Sequence, residues 1–225
     1  MSGVCKYIKT HYDLDNVVFS GASAGAWISL ILTYKGNPDD IYKVLFSSNV
    51  FGPTSISHVE ELIRECLLAN YTTNDFDLVR LYVGVTTFQH WSFEKVIYTN
   101  FDSLADAIDC CVASSHIPFL TGGIIHTYRN IVSFDGGFSH YPYLNDIAPT
   151  LHITPEIWNK NKTDAWKLEN FTTLLSRDKY NFTENLNEGY RDTLENKHII
   201  DLLFIGKNQT GCKELQVGSP DPFGI

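Results

Sequence analysis

Ser23 lies in Gly21-Ala22-Ser23-Ala24-Gly25, with Val17-Val18-Phe19 before it and Trp27, Leu30 and Ile31 at helical spacing after it. Clustered β-branched and aromatic residues predict a short buried strand, and the later spacing predicts a helix. A serine on a tight strand-to-helix turn has its hydroxyl lifted clear of the sheet. Gly21 and Gly25 let neighbouring backbone come close. Free N–H groups at the helix start, that of Ala24 first, can face a developing oxyanion. This arrangement suits nucleophilic attack on an acyl carbonyl, through a covalent intermediate.

A serine hydroxyl attacks slowly at neutral pH until a base takes its proton. Two arrangements of base fit the sequence. In one, Asp135 of Phe134-Asp135-Gly136-Gly137 acts directly, its carboxylate made more basic by partial desolvation. Gly136 and Gly137 let the chain turn sharply there and leave room beside the carboxylate. In the other, Ser23, Asp135 and one of His140, His152 or His198 follow the chain order of a Ser-Asp-His triad. Position weighs against the triad, because an elbow at residue 23 leaves no room for the strands an α/β-hydrolase builds before it.

The surrounding pattern predicts the elements that position these residues. Val4 to Tyr12 reads as an amphipathic helix, and Tyr42 to Ser48 as a weak strand or helix edge. Ile56, Val59, Ile63, Cys66 and Leu67 share one helical face, and Asn70 is a stop. Leu78 to Phe88 and Val96 to Phe101 read as strands, followed by a helix capped by Asp102 or Ser103. Ile124 to Tyr128 and Ile131 to Phe134, joined at Arg129-Asn130, predict a hairpin that delivers Asp135. Asn187 to Phe204 closes with a helix, and the last residues read as a frayed tail. No repeat or linker divides the chain. One domain spans 1–225, with a core over about 4–150 and a helical and loop extension over about 151–225.

Composition excludes several classes. The 225 residues are 44% hydrophobic and 13% aromatic, which excludes disorder. No apolar run approaches a membrane span, and no secretory signal opens the sequence. A formal charge of −9 argues against a nucleic-acid groove and against a polybasic lipid contact. Five cysteines without C-x-x-C spacing fit a reducing compartment. Asp and His clusters at ligand spacing are absent, so neither a metal nor an organic cofactor is implied.

Three motifs in order, Gly21 to Gly25, "ASSHIPFLTG" from Ala113 and "FDGGFSHYP" from Phe134, resemble the patatin-like phospholipases. The Ile117-Pro118-Phe119 run resembles most their adiponutrin-like branch of Ser-Asp lipid acyl hydrolases. The resemblance covers roughly Val4 to Tyr143, and Asn185 to Asn196 resembles the helix that follows the core. It implies a three-layer α/β/α fold, with Ser23 as nucleophile and Asp135 as proton acceptor. It also implies a cytoplasmic protein that meets a lipid ester at a membrane or lipid-droplet surface. In the family a first strand and a glycine-rich oxyanion loop precede the first helix. Here "MSGVCKYIK" resembles that helix already under way, and Gly3 alone cannot replace the loop. The resemblance therefore implies either a truncated form or an impaired relative that binds lipid or a partner.

Overall fold

The computed structural model describes residues 1–48, 50, 56–139, 143–144, 150–154, 157–158, 181–204 and 213–217. Its helices are α1 (Ser2–His11), α2 (Ala24–Thr33), α3 (Pro38–Ser47), α4 (Ile56–Asn70), α5 (Leu104–Ser114), α6 (Phe182–Glu195) and α7 (Lys197–Phe204). The strands are β1 (Val17–Gly21), β2 (Leu81–Gln89), β3 (Ser92–Tyr98), β4 (His126–Tyr128), β5 (Ile131–Phe134), β6 (Leu151–Ile153) and β7 (Lys213–Val217). One mixed sheet runs β4-β5-β2-β1-β7-β6, with β3 on the remaining edge of β2. Helices cover both of its sides, as the α/β sandwich expected from the sequence requires.

Two apolar clusters hold the layers together. One joins Leu81, Val83 and Val85 of β2 to Ala26 and Leu30 of α2, Leu67 of α4 and Ala107, Ile108 and Cys111 of α5. The other joins Val17 and Phe19 of β1 to Val4 and Ile8 of α1, Ile28 and Leu32 of α2, Ile153 of β6 and Ile200 and Phe204 of α7. Central β1 thus has apolar side chains and small residues only, as a strand paired on both edges and covered on both faces needs. Residues from 151 onward complete the second cluster. At Gly3 a Cβ would come within 2.1 Å of the Leu186 carbonyl, so α1 and α6 pack at backbone distance.

Of the two readings of Tyr42–Ser48 the helical one holds: the stretch is the end of α3, whose start is set by Asn37 accepting from the Asp39 N–H, with Pro38 in the first turn. Three elements differ from their predicted form. Leu78–Arg80 is a 3-10 turn, and β2 begins only at Leu81. Strand β3 begins at Ser92 rather than Val96, because β2 and β3 close as a two-residue hairpin at His90-Trp91. The Asn187–Phe204 helix is two helices, parted at Asn196. Strand β7 pairs with β1 and had no predicted counterpart, and the tail beyond it lies outside the described residues. The Arg129-Asn130 hairpin and the Ser103 cap stand as predicted.

Candidate active site

Strand β2 brings the two candidate residues together. β1 runs parallel along one edge of β2 and ends with Gly21 opposite Val83. β5 runs antiparallel along the same edge and ends with Phe134 opposite Thr86, since β3 occupies the other edge from Val83 to Gln89. The two strands therefore approach head to head across Gly84-Val85. The turn after β1 carries Ser23 into that gap, and the turn after β5 carries Asp135.

Ser23 occupies φ 54° and ψ −129°, a conformation that costs a side-chain-bearing residue of order 1–3 kcal/mol. Its backbone N–H donates to Ser114 Oγ at 2.9 Å, and the Ser114 hydroxyl donates to the Gly84 carbonyl at 2.7 Å. Ser114 is fully buried. One α5 hydroxyl thus ties the elbow to the gap in β2. Gly25 and Ala26 N–H groups donate to the Ala22 and Ser23 carbonyls at 2.8 and 2.9 Å. The Ala24 amide stands first in α2, at the positive end of the helix dipole.

Asp135 is 5% exposed. Its Oδ2 accepts from the Ser23 hydroxyl at 2.6 Å, and its Oδ1 accepts from the Gly137 N–H at 2.7 Å. Its own N–H donates to the His116 carbonyl at 2.8 Å. Burial pushes the carboxyl up to about 6, while the donated bonds from Ser23 and Gly137 pull against that rise. Gly136 is a spatial requirement: a Cβ there would lie 2.1 Å from the Gly84 carbonyl oxygen and 2.7 Å from Ala22 Cβ. Gly21 and Gly25 are buried on the two arms of the elbow.

A second acid sits near Asp135. Glu60 of α4 is 7% exposed, bonded to Ser115 and Trp27, and its carboxyl is pushed up to about 8 by burial, with the nearby Asp135 charge adding to the rise. The Trp27 indole N–H donates to Ser115 Oγ at 3.0 Å. Glu60 follows Ile56 by four residues, so a carboxylate on the apolar face of α4 was its sequence signal. Ser114 and Ser115 had theirs in the motif from Ala113.

The two described triad candidates among the histidines stand elsewhere. His152 is on β6, two strands from β1 on the side away from β5, and His198 is exposed on α7. His140 lies outside the described residues. His116 is buried, with Nε2 unpaired and a bond to the Ile124 backbone, and its ring lies beside those of His126 and Phe134. Among the described residues, no group of three or more His, Cys, Asp and Glu could hold a metal ion.

No family model matches the chain. It is 26% identical over 155 residues to the human protein described as 1-acylglycerol-3-phosphate O-acyltransferase PNPLA3. That match takes in 64% of this chain and 32% of the human protein, so the chain spans about a third of its relative's length. The similarity is distant and partial, and it accords with the patatin-like resemblance of the three motifs.

Proposed function

We propose that this chain hydrolyses a lipid acyl ester through a Ser23-Asp135 dyad. The observation that carries the reading is the 2.6 Å bond from the Ser23 hydroxyl to a nearly buried carboxylate. Ser23 Oγ attacks the ester carbonyl carbon as its proton passes to Asp135 Oδ2, and the carbonyl oxygen becomes an oxyanion facing the Ala24 N–H. Collapse of that intermediate breaks the ester C–O bond, and the proton on Asp135 goes to the departing alkoxide. Water then loses a proton to Asp135 as it attacks the acyl-enzyme; the acyl C–Oγ bond breaks, Asp135 returns the proton to Ser23 Oγ, and the fatty acid leaves. A carboxyl poised near 6 is a stronger base than an ordinary aspartate and is still mostly ionised at neutral pH.

The substrate class follows from the resemblance and from the relative: a glycerolipid ester met at a membrane or lipid-droplet surface by a protein peripheral to it. Among the described residues no helix is long and apolar enough to cross a membrane. The relative's printed name describes acyl transfer to an acylglycerol phosphate. The same acyl-enzyme would give that reaction if a glycerol hydroxyl replaced water in the second step.

The test is labelling with a fluorophosphonate, followed by product analysis on a panel of phospholipids and acylglycerols. The dyad requires wild-type labelling, free fatty acid as product, and loss of both in Ser23→Ala. Labelling that survives Ser23→Ala, or vanishes only with replacement of one histidine, would overturn it.

A further inference from the structure

Two of the bulkiest exposed apolar residues, Trp91 and Phe119, sit on backbone that disfavours them. Trp91 is 93% exposed at φ 63°, beside His90 at φ 49°. Such a two-residue hairpin turn normally takes Asn-Gly or a similar pair, because both central residues need positive φ. Phe119 is 80% exposed at φ 67° in the loop after α5. A bulky residue in that region is an outlier, and such strain gathers where the side chain is used. Ile124, Ile125, Phe93 and Phe138 add further exposed apolar surface.

Ring contacts link the hairpin tip to β5, the strand that leads to Asp135. Trp91 packs edge-on against Phe88 at 6.3 Å between ring centroids, Phe88 meets Phe93 at 5.0 Å, and Phe93 meets Phe134 at 5.7 Å. Phe134 immediately precedes Asp135. β2 continues six residues beyond the level at which β1 stops, which at about 3.3 Å per residue carries the hairpin tip about 20 Å past the Ser23 turn. A file of rings therefore runs from the hairpin tip to the end of β5.

Charge selects the occupant. Segments 88–93, 117–125 and 136–139 contain no Asp, Glu, Lys or Arg, although the whole chain carries a formal −9. An anionic membrane would repel the molecule, and a charged protein partner would find no counter-charge on this strip. An exposed Trp beside apolar rings is the composition of an interfacial anchor, with the indole at headgroup level and apolar surface below.

We propose that the His90-Trp91 hairpin tip and the 117–125 loop dock this chain onto an uncharged or zwitterionic lipid surface, with the Phe88, Phe93 and Phe134 rings extending that apolar face along β2, β3 and β5. The proposal deepens the lipid-ester reading and rests on it for the substrate, while its own test reads binding and needs no turnover.

The full chain is floated with phosphatidylcholine vesicles, and tryptophan emission is recorded with brominated phosphatidylcholine as quencher. Wild type is expected to float at low and high salt alike, with a quenchable emission. The double variant Trp91→Gly/Phe119→Ala is expected to partition at least about tenfold less, since two exposed aromatic surfaces are lost. Glycine suits the positive φ at 91, so the variant keeps its fold. Labelling of Ser23 by a soluble fluorophosphonate is expected to match wild type, which separates lost docking from a failed dyad. Wild type remaining in the aqueous fraction would overturn the proposal, as would equal flotation of the variant. Binding confined to anionic vesicles and abolished by salt would also overturn it. So would a vesicle-free dimer that the double variant turns into a monomer, which would make the strip an interface between copies.

Discussion

The Ser23 hydroxyl donates to Asp135 Oδ2 across 2.6 Å, although 112 positions separate the two residues in the chain. The bond joins a strained elbow residue to a carboxylate held above its ordinary pKa, and these two features have separate, measurable consequences.

Asp135 must be ionised to accept the proton, so turnover of a soluble ester should rise with pH along an acid limb near 6. Asp135→Asn should remove nearly all activity, and adding Ser23→Ala should cost little more, because residues acting as a unit are non-additive. A pH profile of kcat/KM and the double-variant comparison check this. A limb near 4, or additive losses, would contradict the dyad.

The strain at Ser23 is read by comparing two variants that both lack the hydroxyl. Alanine at φ 54° keeps the steric conflict and glycine does not, so Ser23→Gly should be more stable than Ser23→Ala by about 1 kcal/mol. Thermal unfolding of the pair measures it, and the reverse order would show that the elbow is unstrained.

Ser114→Ala leaves both the Ser23 N–H and the Gly84 carbonyl without the hydroxyl they share. Each buried group that loses its partner costs about 1–3 kcal/mol. Unfolding should report the stability loss. The rate of fluorophosphonate labelling should fall as well, since the elbow is no longer tied to β2.

Gly136→Ala should destabilise by about 3 kcal/mol or more, because the new Cβ meets the Gly84 backbone oxygen, which cannot swing aside. Denaturant unfolding checks the magnitude.

Glu60 gives a pH dependence of stability. Its folded pKa, near 8, lies above the unfolded value, so between about 4.5 and 8 the native state holds a proton that the unfolded chain has released. Stability contributed by the neutral form is full below that window and is lost as pH rises through it, by a few kcal/mol on the order of 1.4 per pKa unit. Asp135 acts in the same direction over a lower window. Glu60→Gln should flatten the decline above about pH 6, as followed by unfolding from pH 5 to 9. An unchanged slope would place the titration on another group.

What was legible in the sequence was local. The Val17–Phe19 run, the glycines about Ser23 and the apolar spacing after Ala24 prescribe strand, turn and helix within a few residues, and the structure has all three. The Ser103 cap and the Arg129-Asn130 turn were legible for the same reason. The His90-Trp91 turn was not, because neither residue favours positive φ and the hairpin is held by seven residue pairs of β2 with β3 instead. The start of α3 is written in Asn37-Pro38-Asp39-Asp40, ahead of the Tyr42–Ser48 stretch whose own pattern fits strand or helix edge alike. Strand β7, the Ser114 bridge and the approach of Glu60 to Asp135 had no local cause. They depend on sheet order and register, which set β1 and β5 end to end on one edge of β2 and leave a gap at Gly84. Local propensity acts over a few residues. The distance between Ser23 and Asp135, and the desolvation that raises the carboxyl's pKa, arise only when remote strands pair and exclude water together.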